Sequence, residues 1–149
     1  MARIDVSFLL LAALCLLVGL ALGIGMGIAH DFQLAPVHAH LNLVGFVLPS
    51  IFGLAYRAYP ALARSRLALP HLALSGVGAV VLPVGIYIAV TQHSPALAIA
   101  GAFIVFGGVA AFFANLVVNL AFAPSRAPLM GRRELARSAE AGRKPQPAM

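Results

Sequence analysis

The chain is a succession of long apolar stretches that few polar residues interrupt. No charged residue occurs between Asp5 and Asp31, between Asp31 and Arg57, or between Arg66 and Arg126. A transmembrane helix needs about 20 consecutive apolar residues, and the third stretch is long enough for two helices. The pattern therefore predicts four transmembrane helices, over residues 6–29, 37–59, 70–91 and 96–122.

The composition also favours a membrane protein. Of the 149 residues, 62% are hydrophobic and 9% are charged, whereas a soluble domain carries about 25% charged residues. The first apolar run is too long for a secretory signal and lacks a small-residue cleavage site, so we expect it to be retained as a helix. The sequence predicts an all-α polytopic membrane protein, with a four-helix transmembrane domain in residues 1–123 and a basic, largely flexible tail in residues 124–149.

Basic residues are distributed unevenly between the two sides of the predicted bundle. Arg57, Arg64 and Arg66 lie between helices two and three, and six further Arg and Lys residues follow helix four. The other two connections contain Asp31 and no Lys or Arg. By the positive-inside rule both termini are cytoplasmic, and we expect a multi-pass protein of a bacterial inner membrane. Topology and anionic lipid explain the basic tail, so no nucleic-acid partner is expected.

Two groups of residues predict how the helices pack. Gly19, Gly23 and Gly27 follow one another at intervals of four in helix one. Such a stripe lets another helix approach closely, and the alternative is that it makes room for a flat cofactor. In helix four, Asn115 and Asn119 lie one turn apart. They predict an interhelical hydrogen bond or another polar contact near the cytoplasmic end.

His38 and His40 lie just inside the start of helix two. An ionisable residue in a membrane span is costly without a partner and is therefore a candidate functional residue. Imidazole is a common ligand of haem iron and of copper. The two histidines are about 200° apart around an α-helix, so we expect them to face different neighbours. The alternative is that both are interfacial side chains in water.

The remaining histidines divide between the two faces of the membrane. His30 and His93 fall at the same outer end as His38 and His40. Either one is a candidate second axial ligand of a haem iron. The alternative for each is that it is a loop residue in water. His71 begins helix three at the opposite face, about 30 Å away. We expect His71 to be an interfacial side chain that reaches water and shares no site with the others.

The segment HAHLNLVGFV at 38–47, followed by GLAYRAYP at 53–60, resembles one helix of a known family. It is the tenth helix of the haem-copper oxidase catalytic subunit, and the C-type oxidases and nitric oxide reductases are most similar. That helix starts with His-x-His at the outer face, carries a Gly-aromatic pair and ends with Tyr and Pro at the inner face. In the family the first histidine binds the high-spin haem and the second binds the low-spin haem. The resemblance implies these roles for His38 and His40.

From this resemblance we expect a membrane haem-binding protein, b-type cytochrome-like and related to cytochrome c oxidase subunit I, in electron transfer or diatomic gas sensing. The expected cofactor-binding residues are His38, His40 and His93. Copper at His38 and His40 is a second candidate. The expected partners are the lipid bilayer and either further copies of the chain or a larger respiratory complex. Because the chain offers no complete haem–copper centre, enzymatic activity is left open.

Two other classes of function remain open. The first is a non-catalytic accessory subunit or assembly factor that binds a respiratory complex through its glycine faces. The second is a small transporter or proton-conducting protein with His and Asn as relay groups, and the absence of a membrane-embedded carboxylate disfavours it. A Soret band that shifts on reduction would separate a cytochrome from an accessory subunit.

Overall fold

A computed structural model describes residues 3–121, and within them four helices are long and apolar enough to span a membrane. The first span is α1 (Ile4–Ala29). The second span (Ala35–Ala58) consists of α2 (Ala35–His40), a π-helical segment (Leu41–Val47) and α3 (Leu48–Ala58). The chain continues through the short α4 (Pro60–Ala63), the spans α5 (Ala68–Gln92) and α6 (Ala96–Leu116), and a second π-helical segment (Val117–Ala121).

These elements confirm the predicted all-α, four-helix membrane fold. Four helices are long and apolar enough to cross a membrane, and residues 3–121 contain no strand. Large apolar side chains point outward along the bundle, among them Leu10, Leu17, Phe103 and Phe106. Their exposure fits a surface in contact with lipid. The predicted tail, 124–149, lies outside the described residues.

The two ends of the bundle differ in chemistry. The arginine end, where the chain starts and where the second span joins α5, carries Arg3, Arg57, Arg64 and Arg66. The histidine end, where the other two connections lie, carries His30, His38, His40 and His93.

Both α1 and α5 end on a histidine in the left-handed conformation. The backbone angle φ is 51° at His30 and 56° at His93, and the backbone N–H of His30 donates to the carbonyl of Met26. A left-handed residue stops a helix and turns the chain away from its axis. Both histidines therefore have a backbone role at a helix end, and both side chains are exposed.

The π-helical segment of the second span lies directly before Pro49. The N–H of Leu48 donates to the carbonyl of Leu43, five residues earlier. Proline has no N–H, and its ring clashes with the carbonyl four residues earlier in a regular α-helix. A wider turn before Pro49 accommodates the ring without ending the helix.

Glycine allows α5 and α6 to touch through their backbones. A Cβ added to Gly85 would lie 2.6 Å from the Cα of Ala98, and one added to Gly101 would lie 2.7 Å from the Cα of Leu82. Neither contact can be relieved by rotating a side chain. Small residues at these contacts therefore allow α5 and α6 to pack more closely than larger side chains would permit.

The glycine stripe of α1 is used over part of its length. A Cβ on Gly19 would lie 2.6 Å from Oδ1 of Asn42, and one on Gly23 would lie 2.8 Å from Cε1 of His38. Gly27 has no atom within 4 Å of such a Cβ. The prediction of close packing is confirmed at Gly19 and Gly23. There, the side chains of the second span fill the room that the alternative had assigned to a flat cofactor.

Candidate functional site

His38 is held between α1 and the second span. Its Nδ1 lies 2.9 Å from the carbonyl oxygen of Gly19. Because a carbonyl only accepts hydrogen bonds, Nδ1 carries the proton and Nε2 keeps its lone pair. The amide Nδ2 of Asn42 donates to the backbone carbonyl of His38 at 2.9 Å and lies against the ring, 3.4 Å from Nδ1 and 3.3 Å from Nε2. The ring of His38 is thus held between Gly19 and Asn42, and it is partly buried.

His40 has a different set of contacts. Its Nδ1 lies 2.8 Å from the carbonyl oxygen of Pro36, so Nδ1–H donates to the first turn of its own helix. The lone pair is again on Nε2, and no group within residues 3–121 bonds it. Metal-binding histidines commonly donate one ring N–H to a carbonyl and coordinate through the other nitrogen. Of the two, His40 has the freer coordinating atom.

The structure does not gather the histidine end into a multidentate metal site. His30 and His93 are exposed at their helix ends, and His38 faces α1. Within the part of the chain that the structure describes, no group of three or more His, Cys, Asp or Glu side chains could hold a metal ion. A metal or haem at this end would therefore rely on one or two histidines of this chain.

The expectation that the side chain of His71 reaches water is wrong. The side chain is 0% exposed and is enclosed by aromatic rings, with centroids 4.8 Å away at Phe8, 4.5 Å at Phe52 and 5.1 Å at Phe112. The physical reason lies in the connection before α5. Residues 59–67 fold back over this end of the bundle through α4, whose Leu62 is also 0% exposed. His71 is consequently sealed from water although it is near the start of its helix.

A directed chain of hydrogen bonds leads to His71. Asn119 donates to Oδ1 of Asn115 at 2.7 Å, and Asn115 donates to the hydroxyl of Tyr56 at 3.1 Å. The Tyr56 hydroxyl lies 2.9 Å from Nδ1 of His71. The hydroxyl donates its proton to Nδ1, because Nδ1 is the one acceptor among its hydrogen-bond partners in residues 3–121. His71 is therefore the neutral tautomer with its proton on Nε2.

This network confirms the predicted interhelical hydrogen bond of Asn115 and adds partners that were not predicted. Asn115 also donates to the backbone carbonyl of Leu62 at 3.2 Å and so ties α6 to α4. Nε2 of His71 is buried without a hydrogen-bond partner in residues 3–121. The surrounding rings offer it only weak contacts with π electrons. The arrangement is a sealed polar core, and it holds the arginine end together.

An apolar crevice runs along the bundle beside the histidine pair. It has a volume of about 470 Å³ and lies between α1, the beginning of the second span and α5. Val37 and Leu41, which flank the two histidines, line it, and no histidine does. The crevice is large enough for a small organic ligand, and its lining contains no histidine for haem iron.

Comparison with protein families, with curated proteins and with solved structures finds no match for this chain. The resemblance of residues 38–60 to an oxidase helix therefore rests on that motif alone.

Proposed function

We propose that this chain is an integral membrane haem-binding protein, b-type cytochrome-like, with His40 as an iron ligand. The observation that supports the proposal is the hydrogen bond from Nδ1–H of His40 to the Pro36 carbonyl. This bond orients the ring and leaves Nε2 as the coordinating atom, as in other metal-binding histidines. Haem bound there would supply one-electron redox chemistry or a site for a diatomic gas.

The contacts of the other histidines limit how such a site is built. His38 donates its Nδ1–H to the Gly19 carbonyl of α1, and its ring is partly buried, so we assign His38 the role of positioning α1 against the second span. The 470 Å³ crevice has no histidine in its lining, so haem on His40 lies outside it. We therefore place the haem between two copies of the chain, where the exposed His93 is the candidate second ligand.

The proposal predicts different effects for the two histidines of the pair. In the full chain, expressed with ample haem and purified in detergent, we expect a Soret band that shifts on reduction. His40→Ala should remove about 90% or more of the bound haem, since loss of a ligand exceeds the roughly tenfold effect of losing a supporting contact. His38→Ala should keep haem and shift its absorbance bands.

Gln33→Ala, at the exposed connection beside the pair, is the control and should leave the spectrum unchanged. Wild-type protein without any Soret band would refute the haem proposal. So would a His40→Ala variant that retains its full haem content.

A second candidate, an accessory subunit or assembly factor of a respiratory complex, has one observation in its favour. Gly27, in the glycine stripe at the histidine end of α1, has no atom of the described residues within 4 Å of an added Cβ. A helix of a larger complex could pack on that open face. The same spectrum separates the two candidates, because only the cytochrome requires haem.

We also propose that the arginine end faces the cytoplasm of a bacterial cell. Arg57, Arg64 and Arg66 lie at that end, whereas the segments 30–34 and 93–95 contain no Lys or Arg. A phosphatase reporter fused after Met149 should be inactive, and the same reporter inserted after Gln33 should be active, because alkaline phosphatase folds only outside the cytoplasm. The opposite pair of activities would reverse the assignment.

A further inference from the structure

The 470 Å³ crevice has an almost wholly aliphatic wall that opens sideways. Its lining contains Leu14 and Val18 of α1, Val37 of α2, and Val80 and Val84 of α5. Val18, Val80 and Val84 are 51%, 58% and 46% exposed. In a bilayer these exposed walls meet lipid directly, so an apolar molecule can enter from the membrane without passing through water.

A second cavity of about 290 Å³ adjoins the first and extends it to the surface. The two share Leu22 and Leu34 in their walls, and the second is also lined by Met26 and Asp31. From Leu14 to Met26 is twelve residues of α1, or about 18 Å along the helix axis. Half the hydrocarbon thickness of a bilayer is about 15 Å. The combined crevice therefore has the depth of one leaflet.

The surface end of the crevice is acidic. Asp31 accepts a hydrogen bond from the backbone N–H of Gln33 at Oδ1, and in residues 3–121 no group bonds its Oδ2. The segments 30–34 and 93–95 contain no Lys or Arg. An anionic headgroup would find no Lys or Arg side chain in these segments, whereas an ammonium group would find the carboxylate of Asp31.

We propose that this crevice binds one phospholipid with an ammonium headgroup, of the phosphatidylethanolamine type. One acyl chain lies between α1 and α5, and the ammonium group lies beside Asp31. The aliphatic wall, the depth of one leaflet and the isolated carboxylate at the mouth together select this amphiphile. The lipid also covers the side chain of Val18 on α1, which is 51% exposed.

Native mass spectrometry of the delipidated full chain tests the proposal. Phosphatidylethanolamine and phosphatidylglycerol with identical acyl chains are titrated separately. We expect a single saturating adduct with phosphatidylethanolamine and about threefold weaker binding of phosphatidylglycerol, the ratio that one partly screened ion pair supports. Asp31→Asn should abolish this preference. Equal binding of the two lipids by the wild type, or adducts that never saturate at one, would overturn the proposal.

Tryptophan substitutions test the position of the chain. Val18→Trp and Val84→Trp fill the crevice from opposite walls and should each eliminate the saturating adduct. Leu17→Trp is the matched control, because Leu17 is 66% exposed and lies outside the lining. Circular dichroism establishes that each variant retains its helices. Retention of the adduct by both crevice variants would overturn the assignment.

Discussion

Gly85→Ala should lower the free energy of unfolding by about 2 kcal/mol, the middle of the range for overpacking a tight contact. The added methyl group would lie 2.6 Å from the Cα of Ala98. A backbone atom cannot move away by changing rotamer, so α5 and α6 must separate along their contact. The separation loses dispersion energy from every pair of atoms that it draws apart. Gly101→Ala should have a similar effect, because its methyl group meets the Cα of Leu82.

Titration of the detergent-solubilised protein with sodium dodecyl sulfate measures these changes. Gly76→Ala is the control on the same helix, since no atom lies within 4 Å of its added Cβ. We expect Gly76→Ala to change the free energy of unfolding by less than about 0.5 kcal/mol. Equal effects of Gly76→Ala and Gly85→Ala would mean that the two helices are not in backbone contact.

Asn115→Leu should lower the free energy of unfolding by about 2 kcal/mol. Asn115 is 0% exposed and makes hydrogen bonds to Tyr56, to the Leu62 carbonyl and to Asn119. In membrane proteins such bonds contribute about 0.6 kcal/mol each on average, so three together give about 2 kcal/mol. The leucine removes the side-chain donor of the Leu62 carbonyl, which then keeps, among the described residues, only the backbone N–H of Ser65.

The same titration, extended to a double-mutant cycle, tests the network. Asn119→Leu is the control, because Asn119 is partly buried and donates only to Asn115. It should cost no more than about 1 kcal/mol. Tyr56→Phe combined with Asn115→Leu should be less destabilising than the sum of the single changes. Strict additivity, or equal losses for the two asparagine variants, would contradict the hydrogen-bond chain.

The four spans could be predicted because the signal for each is carried by its own residues. An uncharged stretch of sufficient length has few alternatives to a transmembrane helix. The predicted 70–91 and the observed Ala68–Gln92 differ by two residues or fewer at each end. The differences lie at the helix ends, where local backbone geometry sets the boundary. The left-handed conformation of His93 ends α5, and a hydropathy pattern does not predict it.

The environment of His71 could not be predicted, because residues distant in the chain create it. Its neighbours Phe8 and Phe112 belong to the first and last spans. The cover over this end depends on α4, a four-residue helix too short to have a hydrophobic period. Asn115 was the available signal, since a buried amide in a span requires partners. Its position did not identify Tyr56 as one of them.

For the histidine pair, spacing predicted different directions but not the contacts. A separation of two residues places His38 and His40 on different sides of a helix. The close approach of Gly19 in α1 determines that Nδ1 of His38 carries the proton and donates it. That approach depends on how α1 packs on the second span. The glycine stripe predicted close packing of α1, but it did not predict which residues of the two helices face each other.

The π-helical segment Leu41–Val47 rotates the two ends of the second span relative to each other about the helix axis. A hydrogen bond reaching five residues back, rather than four, accommodates one residue more than a regular α-helix of the same length. One residue corresponds to a rotation of about 100°. On a regular helix that turned Asn42 toward Gly19, the ring of Tyr56 would be rotated by this angle away from Phe8. The extra residue lets the second span turn both Asn42 and Tyr56 toward α1. It also couples the orientation of the side chains at one membrane surface to their orientation at the other.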